Sequence, residues 1–124
     1  MPWVLASAAV SGLVAVCFGA WSAHGAGSVV GPERVEWIKT AVQYQFWHSL
    51  ALLGTGVLMQ LKPGRFLPLA AGAFGAGIVL FSGSLYLLAF SGAAIFAYGV
   101  PVGGICFMAG WLFLAVYALM IDRR

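Results

Sequence analysis

The chain has nine charged side chains, and their positions constrain the fold more than any other feature of its 124 residues. Residues 1–32 carry none apart from a neutral His24, and Glu33, Arg34, Glu36 and Lys39 then follow together. Residues 40–61 are again uncharged, Lys62 and Arg65 flank Pro63-Gly64, and residues 66–121 are uncharged up to Asp122-Arg123-Arg124. A helix needs about 20 apolar residues to cross roughly 30 Å of hydrocarbon at 1.5 Å per residue. The first two stretches each hold one such span, and the third holds two with a connection. The sequence therefore predicts one all-α transmembrane domain over residues 1–124, a bundle of four helices at about 3–23, 32–60, 67–90 and 101–121.

With 63% hydrophobic and 7% charged residues, a soluble domain is excluded. No length is left over for one. The formal net charge of +3 does not point to nucleic acid, because the basic residues sit only in short loops and the tail. Cys17 and Cys106 fall inside apolar helices and read as buried thiols rather than as a disulfide or metal ligands. The first span lacks a basic leader and a clean cleavage site, so it reads as a retained helix rather than a signal peptide.

Small residues mark helix contacts in lipid. On this basis Ala8, Gly12, Gly19 and Ala23 form the packed stripe of the first helix, with Trp3, Val14, Phe18 and Trp21 facing lipid. Gly31-Pro32-Glu33 opens the second helix, since proline suits the first helical position and acidic residues complement the positive helix end. That helix exceeds one span, so its first two turns, with Trp37 and Lys39, belong to the interface. In the third helix the bulky residues Phe74, Ile78, Phe81, Leu85 and Leu88 share one arc and the rest is largely small, which predicts a central helix. Pro101 opens the fourth, whose Gly103, Cys106, Gly110 and Tyr117 share a face. Lys62, Arg65, Arg123 and Arg124 against Arg34 and Lys39 place both termini in the cytoplasm.

Polar groups concentrate in Thr40–Ser49. At 100° per residue Thr40, Tyr44 and His48 rise along one face, with Gln45 beside His48 and an opposite arc of Val42, Phe46, Leu50, Leu53 and Val57. The polar face is the packed one. With Ser82 and Tyr86 on the third helix and His24 at the end of the first, these residues gather in the outer half of the bilayer. The inner half is nearly dry, with Ser11 and Thr55 as small exceptions. One copy thus supplies no continuous polar pathway.

Phe18-Gly19-Ala20, Ala23-His24-Gly25, Thr40-Ala41-Val42-Gln43-Tyr44-Gln45 with His48, Phe81-Ser82-Gly83-Ser84-Leu85-Tyr86, Pro101-Val102-Gly103-Gly104 and Gly110-Trp111 together make a recognisable set. The chain resembles the small membrane-protein family numbered 423 among the domains of unknown function, whose animal relatives are called transmembrane protein 256. Trp21-Ser22 departs from the Phe-Gly expected there. The resemblance implies a multi-pass protein of a bacterial inner membrane or of mitochondria. It supplies no activity, and so no catalytic residues to carry over.

For His24 and His48 two readings stand: buried or interfacial hydrogen bonds, or ligation of haem, copper or zinc. Gln43, Tyr44 and Gln45 could hold a quinone or a lipid headgroup, or staple helices together. Glu33 and Glu36 read as a solvated helix start, and no nucleophile–base pair, phosphate loop or zinc motif is present. The expected role is non-enzymatic: a scaffold or accessory subunit among membrane lipids, as a homo-oligomer or against a larger complex. The alternative is an outer-leaflet binder of haem, quinone, metal or lipid through His24, Thr40, Tyr44, Gln45, His48, Ser82 and Tyr86. A second alternative is an oligomeric transporter.

Overall fold

The computed structural model describes residues 2–122, and among these every regular element is helical. Helix α1 spans Pro2–His24, α2 is the single turn Gly27–Val30, and α3 runs unbroken over Pro32–Leu61. A continuous rod follows, made of α4 (Phe66–Gly77), a π-helical segment (Ile78–Ser82) and α5 (Gly83–Ser91). A 3-10 segment, Ala94–Tyr98, leads into α6, Gly99–Ile121. Among the described residues three helical stretches are long and apolar enough to cross a membrane: Pro2–His24, Phe66–Ser91 and Ala94–Ile121. The polar residues of α3 keep it out of that group, although at 30 residues it is about 45 Å long.

The breaks follow from local chemistry. Gly31 takes φ 88° ahead of Pro32 at the start of α3, a conformation glycine adopts without steric cost. Gly92, at φ 68°, ends α5 in the left-handed conformation, and its N–H donates to Leu88. Arg34 reaches across from α3 and donates to the Ala89 carbonyl at 3.3 Å, satisfying a C-terminal acceptor with a cation where the helix dipole is negative. At the opposite end Tyr117 donates to the Lys62 carbonyl at 2.7 Å, tying α6 to the Pro63-Gly64 turn.

Helix α1 lies along α3, α3 along the α4–α5 rod, and α4 against α6. Apolar clusters form at three levels. Ala26, Val35, Ile38 and Ala89 close the α2 end. Ala8, Leu52, Ala70, Phe74 and Phe107 fill the middle, and Met59, Leu67 and Tyr117 the far end. The most thoroughly enclosed helix is α3, with ten buried positions from Val35 to Met59.

Several expectations about helix faces are corrected here. The bulky arc of the third helix turns inward: Phe74 is fully buried and Leu85 is buried, while the small residues Gly72 and Ala76 lie at the surface. Large rings pack best where an opposing helix offers notches, and α6 does so at Gly103 and Gly110. On α1, Ala8 and Ala15 make the contact, and Ala23 is exposed. Phe18 and Trp21 turn toward α5 instead of lipid, stacking on Tyr86 and Phe90 at centroid distances of 4.4 and 5.6 Å. Cys17 is exposed on the surface of α1 and Cys106 is half-buried, so neither is an enclosed thiol.

The π-helical segment has a visible effect on register. Leu67, Ala70, Phe74 and Gly77 are buried at α-helical spacing. That series would continue through positions 81, 84 and 88. The buried positions are instead Ser82, Leu85 and Ala89, with Ser84 at the margin. The buried face has slipped by one residue, as a single wide turn requires.

Candidate functional site

The face of α3 turned to its neighbours carries Ala41, Gln45, His48, Ser49 and Leu52, all buried. Their spacing of three, four and seven residues places them on one side of an α-helix. Three of the five are polar, so each must find its partners within the protein.

Gln45 is the hub. Its side-chain nitrogen donates to the Ser11 carbonyl at 3.1 Å and to the Ser11 hydroxyl oxygen at 3.2 Å. Its side-chain oxygen accepts from the Tyr86 hydroxyl at 2.6 Å. A backbone carbonyl can only accept, which fixes the orientation of the amide. Ser11 and Ser49 lie 2.7 Å apart, and Ser49 donates to the Gln45 carbonyl at 2.6 Å. With one proton per hydroxyl, Ser11 donates to Ser49. The circuit then runs from Tyr86 through Gln45, Ser11 and Ser49 back to the α3 backbone, with each proton placed. It joins α1, α3 and α5.

His48 lies one turn further along. Its Nδ1 is 2.7 Å from the Tyr44 carbonyl, so Nδ1 carries the proton and Nε2 is the acceptor. Trp111 of α6 donates its indole N–H to that Nε2 at 3.1 Å. Both ring nitrogens are thereby engaged. The imidazole stacks on Phe107 at a centroid distance of 3.6 Å, and Tyr44 packs on Phe81 at 4.5 Å. Ser82, freed by the wide turn of the π-helical segment, donates to the Ala41 carbonyl at 2.8 Å. Among the described residues no buried side-chain nitrogen or oxygen lacks a partner.

The seven residues expected to cluster thus separate. Tyr44, Gln45, His48, Ser82 and Tyr86 lie along the α3 contact with α5 and α6. Thr40 is exposed, and its hydroxyl donates back to the Glu36 carbonyl one turn earlier. His24 is exposed at the end of α1, in a shallow polar groove with Glu36 and Lys39. Trp111, Phe107, Ser11 and Ser49 were not anticipated as partners. Trp111 lies within the sequence elements that mark the family resemblance, but nothing in its own helix shows that its N–H meets an imidazole 63 residues away. Among the described residues no group of three or more His, Cys, Asp or Glu is placed to hold a metal ion.

Comparison with known proteins adds a family. Residues 18–104 match the one described as "Protein of unknown function (DUF423)". The inner membrane protein YgdD of Escherichia coli, of the group called UPF0382, is 39% identical over 98% of this chain and 93% of its own length. A UPF0382 membrane protein of Haemophilus influenzae is 38% identical over 86% of both chains. The UPF0382 membrane protein YwdK of Bacillus subtilis is 36% identical over 90% of this chain and 91% of its own. No solved structure matches.

Proposed function

We propose, from the premise that the chain belongs to the DUF423 family and is a bacterial inner-membrane protein of unknown function, that it acts as a non-enzymatic scaffold or accessory subunit. In this reading α3 is a fourth span, carried across the bilayer by the three apolar ones around it. Both termini are cytoplasmic, with Lys62 and Arg65 on that side; Arg123 and Arg124, which contribute to the same charge balance, lie outside the described residues.

The observation that carries the reading is how the buried polar groups are used. Gln45, Tyr86, Ser11, Ser49, His48 and Trp111 spend their donors and acceptors on one another and on backbone. Interhelical hydrogen bonds of this kind hold spans in register. A reaction site would instead need a group poised toward an open cavity.

Extraction from native membranes in mild detergent, followed by native mass spectrometry and an absorption spectrum, tests this. A stoichiometric homo-oligomer or larger assembly is expected. A bound chromophore lost in His48→Ala would replace the scaffold reading with the ligand-binding one. A tag placed after Arg124 and reached from outside intact cells would reverse the orientation.

A further inference from the structure

The seam between α1 and α3 is open on one side, and its lining changes character along its length. In the middle of the helices it is walled by Ala15, Val16, Gly19 and Ala20 of α1 and by Val42, Phe46 and Trp47 of α3. Gln43 enters the same groove at its upper end. Beyond it, toward α2, the groove is lined by His24, Ser28, Glu36 and Lys39. Residues 36, 39, 43 and 46 lie three or four apart and so share one face of α3, as 16, 20 and 23 do on α1. The two hollows therefore follow one another along the same seam, the apolar one below and the charged one above. The apolar part runs five positions on each wall, from Ala15 to Ala20 and from Val42 to Trp47, and so is about 7.5 Å long, with His24 and Lys39 about 12 Å above Val16 and Trp47.

We propose that this groove is a binding site for a single phospholipid whose headgroup carries both a phosphate and a primary ammonium. The assignment rests on α1 and α3 spanning the membrane. An acyl chain fits the floor of small residues between Val16 and the rings of Phe46 and Trp47. The charged end decides the headgroup. Glu36 and Lys39 face each other there at 3.3 Å, both largely exposed, so the pair is easily opened. A zwitterionic headgroup exchanges both partners at once: its ammonium takes the Glu36 carboxylate and its phosphate takes Lys39. A purely anionic headgroup would leave Glu36 facing like charge. A quaternary ammonium offers the carboxylate no N–H to accept. Gln43 lies at the level of the ester linkages, where its amide can donate.

The full-length chain, purified in detergent, is titrated with equimolar phosphatidylethanolamine and phosphatidylglycerol of matched acyl chains and read by native mass spectrometry. Preferential retention of the ethanolamine lipid by roughly two- to fivefold is expected, the range of an exposed ion pair. E36Q should bring the ratio toward one, and K39Q should weaken retention of both lipids while leaving the preference in place, neither with loss of helical circular dichroism. Ala20→Phe, which fills the floor, should reduce retention of both lipids. Equal retention in the parent protein overturns the proposal. So does a ratio indifferent to E36Q, a K39Q variant that retains both lipids as the parent does, or a dimer that Ala20→Phe abolishes, which would put a second copy in the groove. Capture of a larger membrane complex bears on the scaffold reading and leaves this ratio unaffected.

Discussion

The two sides of the molecule are held together by different physics. On one side, α4 and α6 meet through rings set into notches. Phe107 lies over Gly77, Phe74 over Gly110, and the backbone at Phe81 against Gly103, so closely that a Cβ at any of these glycines would overlap its neighbour. On the other side, α1, α3 and α5 meet through the Gln45 circuit and the Phe18–Tyr86 stack. In lipid there is no hydrophobic force to draw helices together, so each contact must gain by close packing or by hydrogen bonding. Hydrogen bonds can be re-formed with a new partner after a small shift. A notch cannot be refilled, because the ring and the backbone behind it have nowhere to go. The α4–α6 seam is therefore the intolerant one.

Substitutions can break or sharpen that contrast. Gly103→Val is expected to be the most damaging, since the new side chain meets the Phe81 backbone directly; overpacking of this kind costs about 3 kcal/mol or more. The measurement is the unfolding free energy in a denaturing-detergent titration, and a stable variant would refute the notch account. Gly77→Ala should cost about 1–3 kcal/mol, because Phe107 must leave its place on His48. Gly72→Ala or Gly104→Ala, where nothing lies within 4 Å of the added carbon, should be neutral or should stabilise by up to about 1 kcal/mol. That pairing of near and distant glycines separates packing from helix propensity.

On the polar side the effects are smaller. Gln45→Leu removes the hub of the circuit and should cost about 1–2 kcal/mol. A double-mutant cycle of Gln45→Leu with Tyr86→Phe should return a coupling of about 0.5–1.5 kcal/mol, and additivity would dissolve the circuit as a unit. Trp111→Phe, which deletes only the N–H donated to His48, should cost the least, about 0.5–1 kcal/mol by the same titration.

Much of this was legible in the residues themselves. The runs without charge and the Pro-Gly turn locate the long helices, and helical spacing puts Gln45 and His48 on the packed face of α3, although that face is centred on Ala41, Gln45 and His48 rather than on Thr40, Tyr44 and His48. The sequence pairs His48 with Tyr86, Gln45 or a backbone carbonyl; His48 does meet a backbone carbonyl, that of Tyr44, while Tyr86 donates to Gln45 instead. What periodicity could not supply is the identity of the neighbour. Small residues mark either a contact or a gap, and on α4 Gly77 is the first and Gly72 the second. Phe18 and Trp21 look lipid-facing because stacking on another helix leaves no mark in their own. Thr40 looks like a member of the polar face, yet its hydroxyl folds back on its own backbone, as threonine in a helix can. Ser11 reads as an exception in the dry half, but it meets Gln45 because α1 and α3 run side by side.

The wide turn at Ile78–Ser82 has one more consequence. It holds a residue in excess of what a regular helix would use to cover the same distance, and this surplus lets Phe74 meet α6 while Tyr86 meets α3. Loss of one residue within those five would relax the turn to ordinary pitch and leave both partners aligned. Loss of one residue anywhere else between Phe66 and Ser91 would swing everything beyond it by about 100°. The long rod thus contains a single place where its length can be edited without losing its bearings.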